Sequence, residues 1–373
     1  MLMKKIAFVH DFLLYFGGAE GTLKVMAELC PNAPIYTLLS NKSISKKYFG
    51  NATVIESFLK KAPEFLKKRH KYLFPLMPTA VETFNLRDYD IIISSSSAFA
   101  KGIVVKPRIT HVCYMHAPMR YVWDSSLEYL EQQKLKGKTK LATRLLLNYL
   151  RMWDRASAER IDVLIANSRY TAQRIRKYYR KKSHIIYPPV NIEKFSPTKE
   201  HDNYFLTVGR LSPYKRTKLM IDVFSKLDLP LVVVGAGEEY NELKAMVAGE
   251  PNIKLIGWVG EKKLTKLYQN ARAFVCASED DFNITAVEAM AAGKPVIALR
   301  KGGVKETVIE GVTGEFFDTP QMEIMADGIR RFIENEHSYD IKDIRENAER
   351  FDTKRFKKIF SRFIETVASN NGN

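Results

Sequence analysis

The chain has 373 residues, of which 46% are hydrophobic, and this length favours two domains, each with its own core. Its three cysteines lie far apart, so the sequence predicts neither a disulfide framework nor a cysteine-based metal site, which fits a reducing compartment. No apolar run approaches the roughly 18 residues of a membrane-spanning helix and the first residues lack a signal-peptide pattern, so we expect a cytoplasmic protein.

The positive charge is concentrated in the first half of the chain. Residues 1–190 contain 32 Lys and Arg against 14 Asp and Glu, whereas the remaining residues contain 27 against 28. Such an asymmetry is typical of a protein with an anionic partner. Because the basic residues are scattered and no nucleic-acid-binding motif accompanies them, nucleic-acid binding is only an alternative function, and we expect no nucleic-acid partner.

The first predicted strand covers residues 5–9 and is followed by a loop from His10 to Gly18. The loop ends in the pair Gly17-Gly18, where a helix begins. Such a pair lets the backbone approach a ligand closely, although a tight strand-to-helix turn would also explain it.

Residues 57–72 form a basic amphipathic stretch with six Lys and Arg side chains. A solvated surface and a membrane-surface element are both compatible with this pattern. Further on, Asp88 and Asp90 have the Asp-x-Asp spacing of some metal sites, but a polar turn before the strand at residues 91–93 is the favoured interpretation.

A strand predicted over residues 110–115 ends in His116, and Arg120, Trp123 and Asp124 follow closely. A lone histidine is usually structural. At the carboxyl end of a strand in an α/β domain, however, a side chain is well placed to contact a ligand. The three residues after it either shape a binding surface or pack.

Prolines at 188, 189 and 197 predict an extended connector, and we place the domain boundary near residue 190. The second domain begins with a strand at residues 204–208, and Arg210 and Lys215 follow on one loop. These two cations can converge on a phosphate, Arg as a planar fork and Lys as a point charge, although two exposed loop cations are the simpler alternative.

The strand that ends at Cys276 is followed by an acidic loop that contains Glu279, Asp280 and Asp281. A helix is predicted to begin at Thr285, and the next strand is predicted at residues 296–299. Thr285 and Glu288 have the spacing of a capping box. Alternatively, Asp280 and Glu288 flank a helix N-terminus that suits an anionic ligand. The residues themselves leave both possibilities open.

Three segments carry a resemblance to a known family. Residues 288–298 (EAMAAGKPVIA) resemble the signature of the retaining glycosyltransferase family 4, although Asp280 stands where the family has Glu and Asn283 where it has Gly. Residues 209–215 resemble the family's diphosphate clamp. Residues 116–123 (HAPMRYVW) are similar to a segment of mannosyltransferases of polysaccharide and O-antigen assembly.

The resemblance implies the GT-B fold, in which two Rossmann-like domains with doubly wound parallel sheets face a central cleft. Alternation of strands and helices in both halves favours the same α/β class. We expect an acceptor-side domain at residues 1–190, joined by a terminal helix at 354–373. A nucleotide-sugar-binding domain is expected at residues 191–353.

The implied activity is a retaining, metal-independent hexosyl transfer without a cofactor. The expected donor is GDP-mannose, with a UDP-sugar as the alternative, and the expected acceptor is a glycan or a lipid-linked molecule of polysaccharide or glycolipid assembly. A phosphorylase of related fold is a third option that no feature of the sequence favours. The basic first domain predicts peripheral docking at an anionic membrane surface, at the inner membrane face.

The resemblance also assigns roles to individual residues. Those expected around the reacting sugar and diphosphate are His116, Asp280, Arg210 and Lys215. Those expected to bind the donor are Gly17, Gly18, Arg210, Lys215, Val259, Phe282, Asn283, Ile284, Thr285 and Glu288. The candidates for the acceptor side are Arg120, Trp123 and Asp124, and no metal ligand is expected.

Overall fold

The structure is a computed structural model that describes residues 4–50, 52–124 and 137–370. The chain divides into two compact units. Unit 1 comprises Met1–Tyr187 and Phe356–Asn373, and unit 2 comprises Pro188–Arg355. Within the described ranges, no helix combines the length and the apolar character that a membrane span requires.

The sheet of unit 1 is built from short runs of Ile, Val, Leu and Ser. Its strands are β1 (Ile6–Leu13), β2 (Ile35–Ser40), β3 (Val54–Glu56), β4 (Ile91–Ser96), β5 (Thr110–Met115), β6 (Val163–Ala166) and β7 (His184–Ile185). They pair in parallel in the order β3-β2-β1-β4-β5-β6-β7. Both β4 and β5 are buried along their full length, as expected for a parallel sheet covered on both faces.

Helices surround this sheet. They are α1 (Gly18–Leu29), α2 (Lys42–Phe49), α3 (Glu64–Lys68), α4 (Met77–Glu82), α5 (Gly137–Glu159) and α6 (Arg169–Tyr179), with 3₁₀ turns at Phe58–Lys61, His70–Leu76 and Ala100–Gly102.

Unit 2 has a second parallel sheet. Its strands are β8 (Tyr204–Val208), β9 (Leu231–Val234), β10 (Ile253–Gly257), β11 (Ala271–Cys276), β12 (Val296–Leu299) and β13 (Gly314–Phe317). Their order is β10-β9-β8-β11-β12-β13. The chain therefore changes direction across the sheet between β8 and β11, as it does between β1 and β4 in unit 1, and such switch points are where ligands bind in open α/β sheets.

The remaining helices complete unit 2 and return to unit 1. They are α7 (Thr217–Lys226), α8 (Tyr240–Met246), α9 (Glu261–Asn270), α10 (Ile284–Ala291), α11 (Val304–Thr307), α12 (Met322–Asn335), α13 (Ile341–Glu349) and α14 (Thr353–Asn370), with 3₁₀ turns at Ile192–Lys194, Pro213–Lys215, Val247–Gly249 and Glu336–Ser338. From α14, Phe356, Phe360 and Ile364 pack into the core of unit 1 with Phe8 and Leu23.

Two strands are longer than the sequence predicted, since β4 continues past residue 93 to Ser96 and β1 past residue 9. Strand β1 continues past residue 9 to Leu13, because Phe12 and Leu13 pair with Leu39 and Ser40 of β2. His10 therefore lies inside a buried strand, and the prediction of a loop from His10 was wrong.

Candidate functional site

Two loops of unit 2, at the carboxyl ends of β8 and β11, meet through an ion pair. Nζ of Lys215 lies 2.8 Å from Oδ1 and 2.7 Å from Oδ2 of Asp280, and the Ser278 hydroxyl donates to Oδ2 at 2.5 Å. Burial alone would lower the pKa of Lys215, but the Asp280 carboxylate outweighs it and raises that pKa above its ordinary value. Lys215 is therefore a cation at neutral pH.

A small cavity that opens to solvent lies beside Lys215. Residues from the two loops and from the start of α10 line it, among them Gly209, Arg210, Lys215, Ser278, Asn283 and Thr285. Arg210 is exposed, whereas Asn283 is buried. Nδ2 of Asn283 has no nitrogen or oxygen acceptor among the described residues. The structure thus brings four residues predicted from sequence to one cavity.

The backbone of the acidic loop after β11 packs against two glycines, Gly302 and Gly303. The amide of Gly303 donates to the carbonyl of Asp280 at 2.8 Å. At Gly302, where φ is +78°, a Cβ atom would lie 2.3 Å from the same carbonyl oxygen. Only glycine fits this close approach, so the pair fixes the backbone that carries Asp280.

Helix α10 begins at Ile284, one residue earlier than predicted. Its N-cap is Asn283, which has a left-handed backbone with φ of 71°. Oδ1 of Asn283 accepts from the amide of Ala286 at 3.3 Å and from the hydroxyl of Thr285 at 2.8 Å. The alternative of a Thr285–Glu288 capping box was therefore wrong, because Asn283 is the N-cap and its side chain accepts from a backbone amide of the first turn.

The carboxylate of Glu288 accepts hydrogen bonds from two residues that are far from it in the sequence. Its Oε1 accepts from Nζ of Lys194 at 2.8 Å, and its Oε2 accepts from the hydroxyl of Tyr268 at 3.1 Å. Burial, with the charge of Glu288, raises the pKa of the Tyr268 hydroxyl well above its usual range, so this hydroxyl stays a donor. No motif pointed to Lys194 or Tyr268, because sequence spacing does not reveal contacts across elements.

The other predicted donor-binding residues of unit 2 are not part of the described cavity lining. Phe282 is buried and packs edge-on against Phe351, with ring centroids 5.3 Å apart. Val259 and Ile284 are half-buried. The part of the cavity lining that the structure describes includes none of Phe282, Val259, Ile284 and Glu288.

Unit 1 has a second polar cluster, formed by His10 within β1, Ser95 near the carboxyl end of β4 and His116 just after β5. Nε2 of His116 lies 2.8 Å from Oγ of Ser95. Nδ1 of His10 lies 3.0 Å from both the carbonyl oxygen and Oγ of Ser95. Burial, with a smaller contribution from His10, lowers the pKa of His116 to about 3. His116 is therefore a neutral imidazole at physiological pH.

The predicted glycine turn is linked to this cluster. The amide of Gly17, the residue before α1, donates to Oε2 of Glu20 at 2.9 Å. Oε1 of Glu20 lies 3.5 Å from Nε2 of His10. A Cβ atom at Gly17 would lie 3.2 Å from Oε2 of Glu20, so a side chain there would press on the contact. Gly18 is the first residue of α1.

Asp11 is a buried residue of unit 1 that the sequence analysis missed. Its carboxylate accepts from four consecutive amides, those of Ser97, Ala98, Phe99 and Ala100, at 2.6 to 2.9 Å. It thereby fixes the turn after β4. An acidic residue at the end of a buried strand was the one signal that could have identified it.

Two of the candidates for the acceptor side are engaged in contacts within unit 1. Nε1 of Trp123 donates to buried Asp154 at 2.7 Å. The carboxylate of Asp124 accepts from Arg174 and Tyr178. These contacts support the alternative that the two residues pack. Arg120 is half-buried.

The described residues contain no group of three or more His, Cys, Asp or Glu side chains placed to hold a metal ion. Within the Asp-x-Asp segment, Oδ2 of Asp90 accepts from the amide of Lys5 at 2.8 Å, and its Oδ1 faces Arg108. The contacts of Asp90 are those of a residue in a polar turn.

Two family models match the chain. Residues 190–351 match the model described as Glycosyl transferases group 1, and residues 48–194 match Glycosyltransferase Family 4. These matches support a glycosyltransferase of the family-4 type.

Known proteins similar to this chain agree with that family. An uncharacterized glycosyltransferase of Methanocaldococcus jannaschii is 28% identical over 197 residues, which are 52% of this chain and 55% of that protein. The alpha-1,3/1,6-mannosyltransferase ALG2 of Dictyostelium discoideum is 23% identical over 248 residues, 53% of this chain and 59% of its own. The chain thus spans about half the length of these known relatives.

Solved structures match over nearly the whole chain. HepE of Anabaena, crystallised with UDP-glucose, has a TM-score of 0.71 at 20% identity and covers 97% of this chain and 100% of its own. Sucrose-phosphate synthase of Thermosynechococcus elongatus has a TM-score of 0.75 at 16% identity, with 98% and 100% covered. With the two parallel sheets, these neighbours show the GT-B fold, so the predicted fold class is confirmed.

Proposed function

We propose that this glycosyltransferase is a retaining hexosyltransferase that takes its sugar from a nucleotide sugar. The favoured donor is GDP-mannose, with a UDP-sugar as the alternative, and the favoured acceptor is a glycan or a lipid-linked molecule. The observation that carries the proposal is the cavity of unit 2 where Lys215, Arg210 and Asn283 converge. The HepE structure with UDP-glucose supports a nucleotide-sugar donor for a protein of this fold.

The cavity suits a diphosphate leaving group. Charge develops on the diphosphate as the sugar bond breaks, and fixed positive groups that meet this charge lower the barrier. Lys215, held by Asp280, supplies one cationic group and Arg210 a second, and Asn283 lines the same cavity. The reaction therefore needs neither a metal ion nor a cofactor in this proposal.

Glu288 is the proposed ligand of the ribose hydroxyls. Lys194 and Tyr268 each bind one of its carboxylate oxygens, and each oxygen keeps acceptor capacity for a further hydroxyl. His116 is the proposed contact of the transferred sugar in unit 1, and Asp280 is proposed to contact the sugar in unit 2.

The rate of sugar transfer by variants of the loop at residues 209–215 tests the proposal. Arg210→Ala and Lys215→Ala should each reduce sugar transfer by about 10²-fold, as the loss of a preorganised charge contact does. Lys218→Ala is the matched control, because Lys218 lies on the adjoining helix, pairs with Glu242 at 2.6 Å and is outside the described lining of the cavity.

Calorimetric titration with GDP, UDP, GDP-mannose and UDP-glucose would identify the nucleotide and the sugar. Equal losses of transfer in all three variants would contradict the diphosphate assignment. Salt-dependent binding of DNA, with no affinity for any nucleotide sugar, would favour the nucleic-acid alternative.

We further propose that unit 1 docks on an anionic membrane surface. Residues 57–76 expose Phe58, Phe65, Tyr72 and Leu76 beside several lysines. On α5, four apolar residues between 44% and 64% exposed recur at helical spacing, namely Leu141, Leu145, Tyr149 and Met152. Residues 137–153 contain four Lys and Arg and no Asp or Glu, so this outward apolar stripe lies in a purely cationic segment.

Co-sedimentation with liposomes tests the docking. Binding should rise with the fraction of anionic lipid and fall with salt, since each nearby cation contributes about 1 kcal/mol within a Debye length. Two double variants should each reduce liposome binding. One is Lys67→Glu with Arg69→Glu, and the other is Leu141→Ser with Leu145→Ser. Lys262→Glu with Lys263→Glu, on α9 of unit 2, should not. Equal binding to neutral vesicles, or none at low salt, would contradict the docking.

A further inference from the structure

The polar cluster of unit 1 defines where the protons of its two histidines lie. The carbonyl oxygen of Ser95 can only accept a hydrogen bond, so Nδ1 of His10, 3.0 Å away, must carry a proton and donate. The same proton reaches Oγ of Ser95, also at 3.0 Å. Nδ1 of His10 therefore cannot accept the hydroxyl proton of Ser95.

The hydroxyl proton of Ser95 has one acceptor left. Among the described residues, Oγ of Ser95 bonds only to His10 and His116. With His10 donating, the hydroxyl donates to Nε2 of His116 at 2.8 Å, which must then be unprotonated. A proton on Nε2 would instead leave the Ser95 hydroxyl without an acceptor in a fully buried site, which is unfavourable.

Glu20 lies at the far end of this chain of contacts, with its Oε1 3.5 Å from Nε2 of His10. Burial, with a smaller contribution from His10, disfavours a second proton on His116. His116 is thus left with one proton, on Nδ1.

We infer that Glu20, His10 and Ser95 are positioning residues that present His116 as a neutral imidazole with its proton on Nδ1. The inference rests on the proposed function only in taking a sugar as the partner of that proton. Nδ1 has no hydrogen-bond partner in the described part of the chain and is not among its fully buried polar atoms. His116 therefore acts as a hydrogen-bond donor to an oxygen of the transferred sugar and does not act as a general acid or base.

Nitrogen NMR of the unliganded protein tests the inference directly. The seven histidines would be labelled with ¹⁵N, and the His116→Gln variant would identify the signals of His116. At pH 7 we expect a proton-bearing Nδ1 and an unprotonated Nε2. A proton on Nε2, or on both nitrogens, would overturn the inference. A wild-type protein that binds no nucleotide sugar would instead contradict the proposed function and leave this spectrum informative.

Ser95→Ala tests the effect on donor recognition. It should shift the proton of His116 toward Nε2 and weaken nucleotide-sugar binding about five- to tenfold, the usual worth of one hydrogen bond. Affinity for the free nucleoside diphosphate should not change. An equal loss for both ligands would indicate a merely structural role and overturn the inference.

The matched control lies one residue away. Oγ of Ser94 bonds Nε2 of His111 at 2.7 Å, and both side chains are fully buried. Ser94→Ala should therefore change the signals of His111 and leave those of His116, and nucleotide-sugar binding, as in the wild type. A shift of the His116 proton in Ser94→Ala as large as that in Ser95→Ala would overturn the inference.

Discussion

At the scale of single residues, Asp280 sets the charge state of Lys215. Burial opposes the ammonium ion of Lys215, and the carboxylate 2.7 Å away restores it, so the pKa lies above the ordinary 10.5. A group whose pKa is raised in the folded state contributes its full stabilisation below the unfolded value and loses it as pH rises through the folded value. The charge of Lys215 should therefore not change across the neutral range.

Asp280→Asn removes the group that raises the pKa of Lys215 and leaves the burial that lowers it. The affinity for a nucleoside diphosphate should then begin to fall at a lower pH than in the wild type, because the pKa of Lys215 is raised only while Asp280 is a carboxylate. Titrations between pH 7 and 10.5 measure this. Parallel profiles for wild type and variant would show that Lys215 does not contact the phosphates.

Glu288→Gln separates ribose binding from structure. Gln can accept from Lys194 with its oxygen and donate its amide to the Tyr268 hydroxyl, which can also accept, so the midpoint of thermal unfolding should change little. Loss of the charged acceptor should weaken donor binding about 10- to 100-fold, as hydrogen bonds to charged groups do. Tyr268→Phe, which removes only the hydroxyl, is the comparison. Unchanged donor affinity in Glu288→Gln would leave this residue with a structural role alone.

The sequence predicted the residues of the candidate site that lie in continuous segments. Arg210 and Lys215 lie on one loop, and Asp280 lies five positions before Thr285 at the start of α10, so their chemistry was visible in the order of the chain. Lys194 lies 94 positions before Glu288, and its contact depends on how the connector packs. Such a pairing has no local signal, and neither has the link between Ser95 and His116.

At the scale of elements, the acidic loop depends on the glycines before α11. The amide of Gly303 donates to the carbonyl of Asp280. The sequence could not predict this contact, because it arises where two loops from neighbouring strands touch.

Gly302→Ala should distort the acidic loop. Alanine at this positive φ costs about 1 kcal/mol of stability. Its Cβ atom would also lie 2.3 Å from the carbonyl oxygen of Asp280, so the backbone must shift. Donor affinity should fall together with stability. Gly311→Ala is the control, since its φ is +73° with no atom within 4 Å of the added carbon. Gly311→Ala should lose a similar amount of stability, because of its backbone conformation, and keep donor affinity. Equal affinities in the two variants would show that the loop does not position the donor site.

At the scale of the whole molecule, the two parallel sheets were predictable from the alternation of strands and helices. Short apolar runs separated by amphipathic helices allow few other arrangements. The length of β1 was not predictable, because its last residues are held by pairing with β2.

Activity of the intact enzyme should persist in excess chelator. The proposed site neutralises the leaving group with Lys215 and Arg210, so it has no need of a divalent cation. Transfer assays with EDTA, and with Mg²⁺ or Mn²⁺ added back, measure this. An absolute requirement for either ion would make Asp88 and Asp90, or the acidic loop, candidate ligands.

Phe360→Ala should destabilise unit 1 selectively. Phe360 is 1% exposed in the core of unit 1, and removing such a side chain costs about 3 to 5 kcal/mol. Urea unfolding followed by fluorescence should show an earlier transition for unit 1, which contains Trp123 and Trp153. Nucleotide affinity at unit 2 should be retained. Ile359→Ala, on the exposed side of the same helix, should change little. A uniform loss across both transitions would contradict this assignment.

The place of α14 in the chain has a consequence for biosynthesis. A ribosome makes the strands of unit 1 first, yet the face that carries Phe8 and Leu23 stays uncovered until residues 356–364 have emerged. Unit 2 is one uninterrupted stretch and can finish folding earlier. The usual order, in which the first-made domain folds first, is therefore reversed. A nascent chain carries an open apolar face throughout the synthesis of unit 2, and this is the interval in which a chaperone would act.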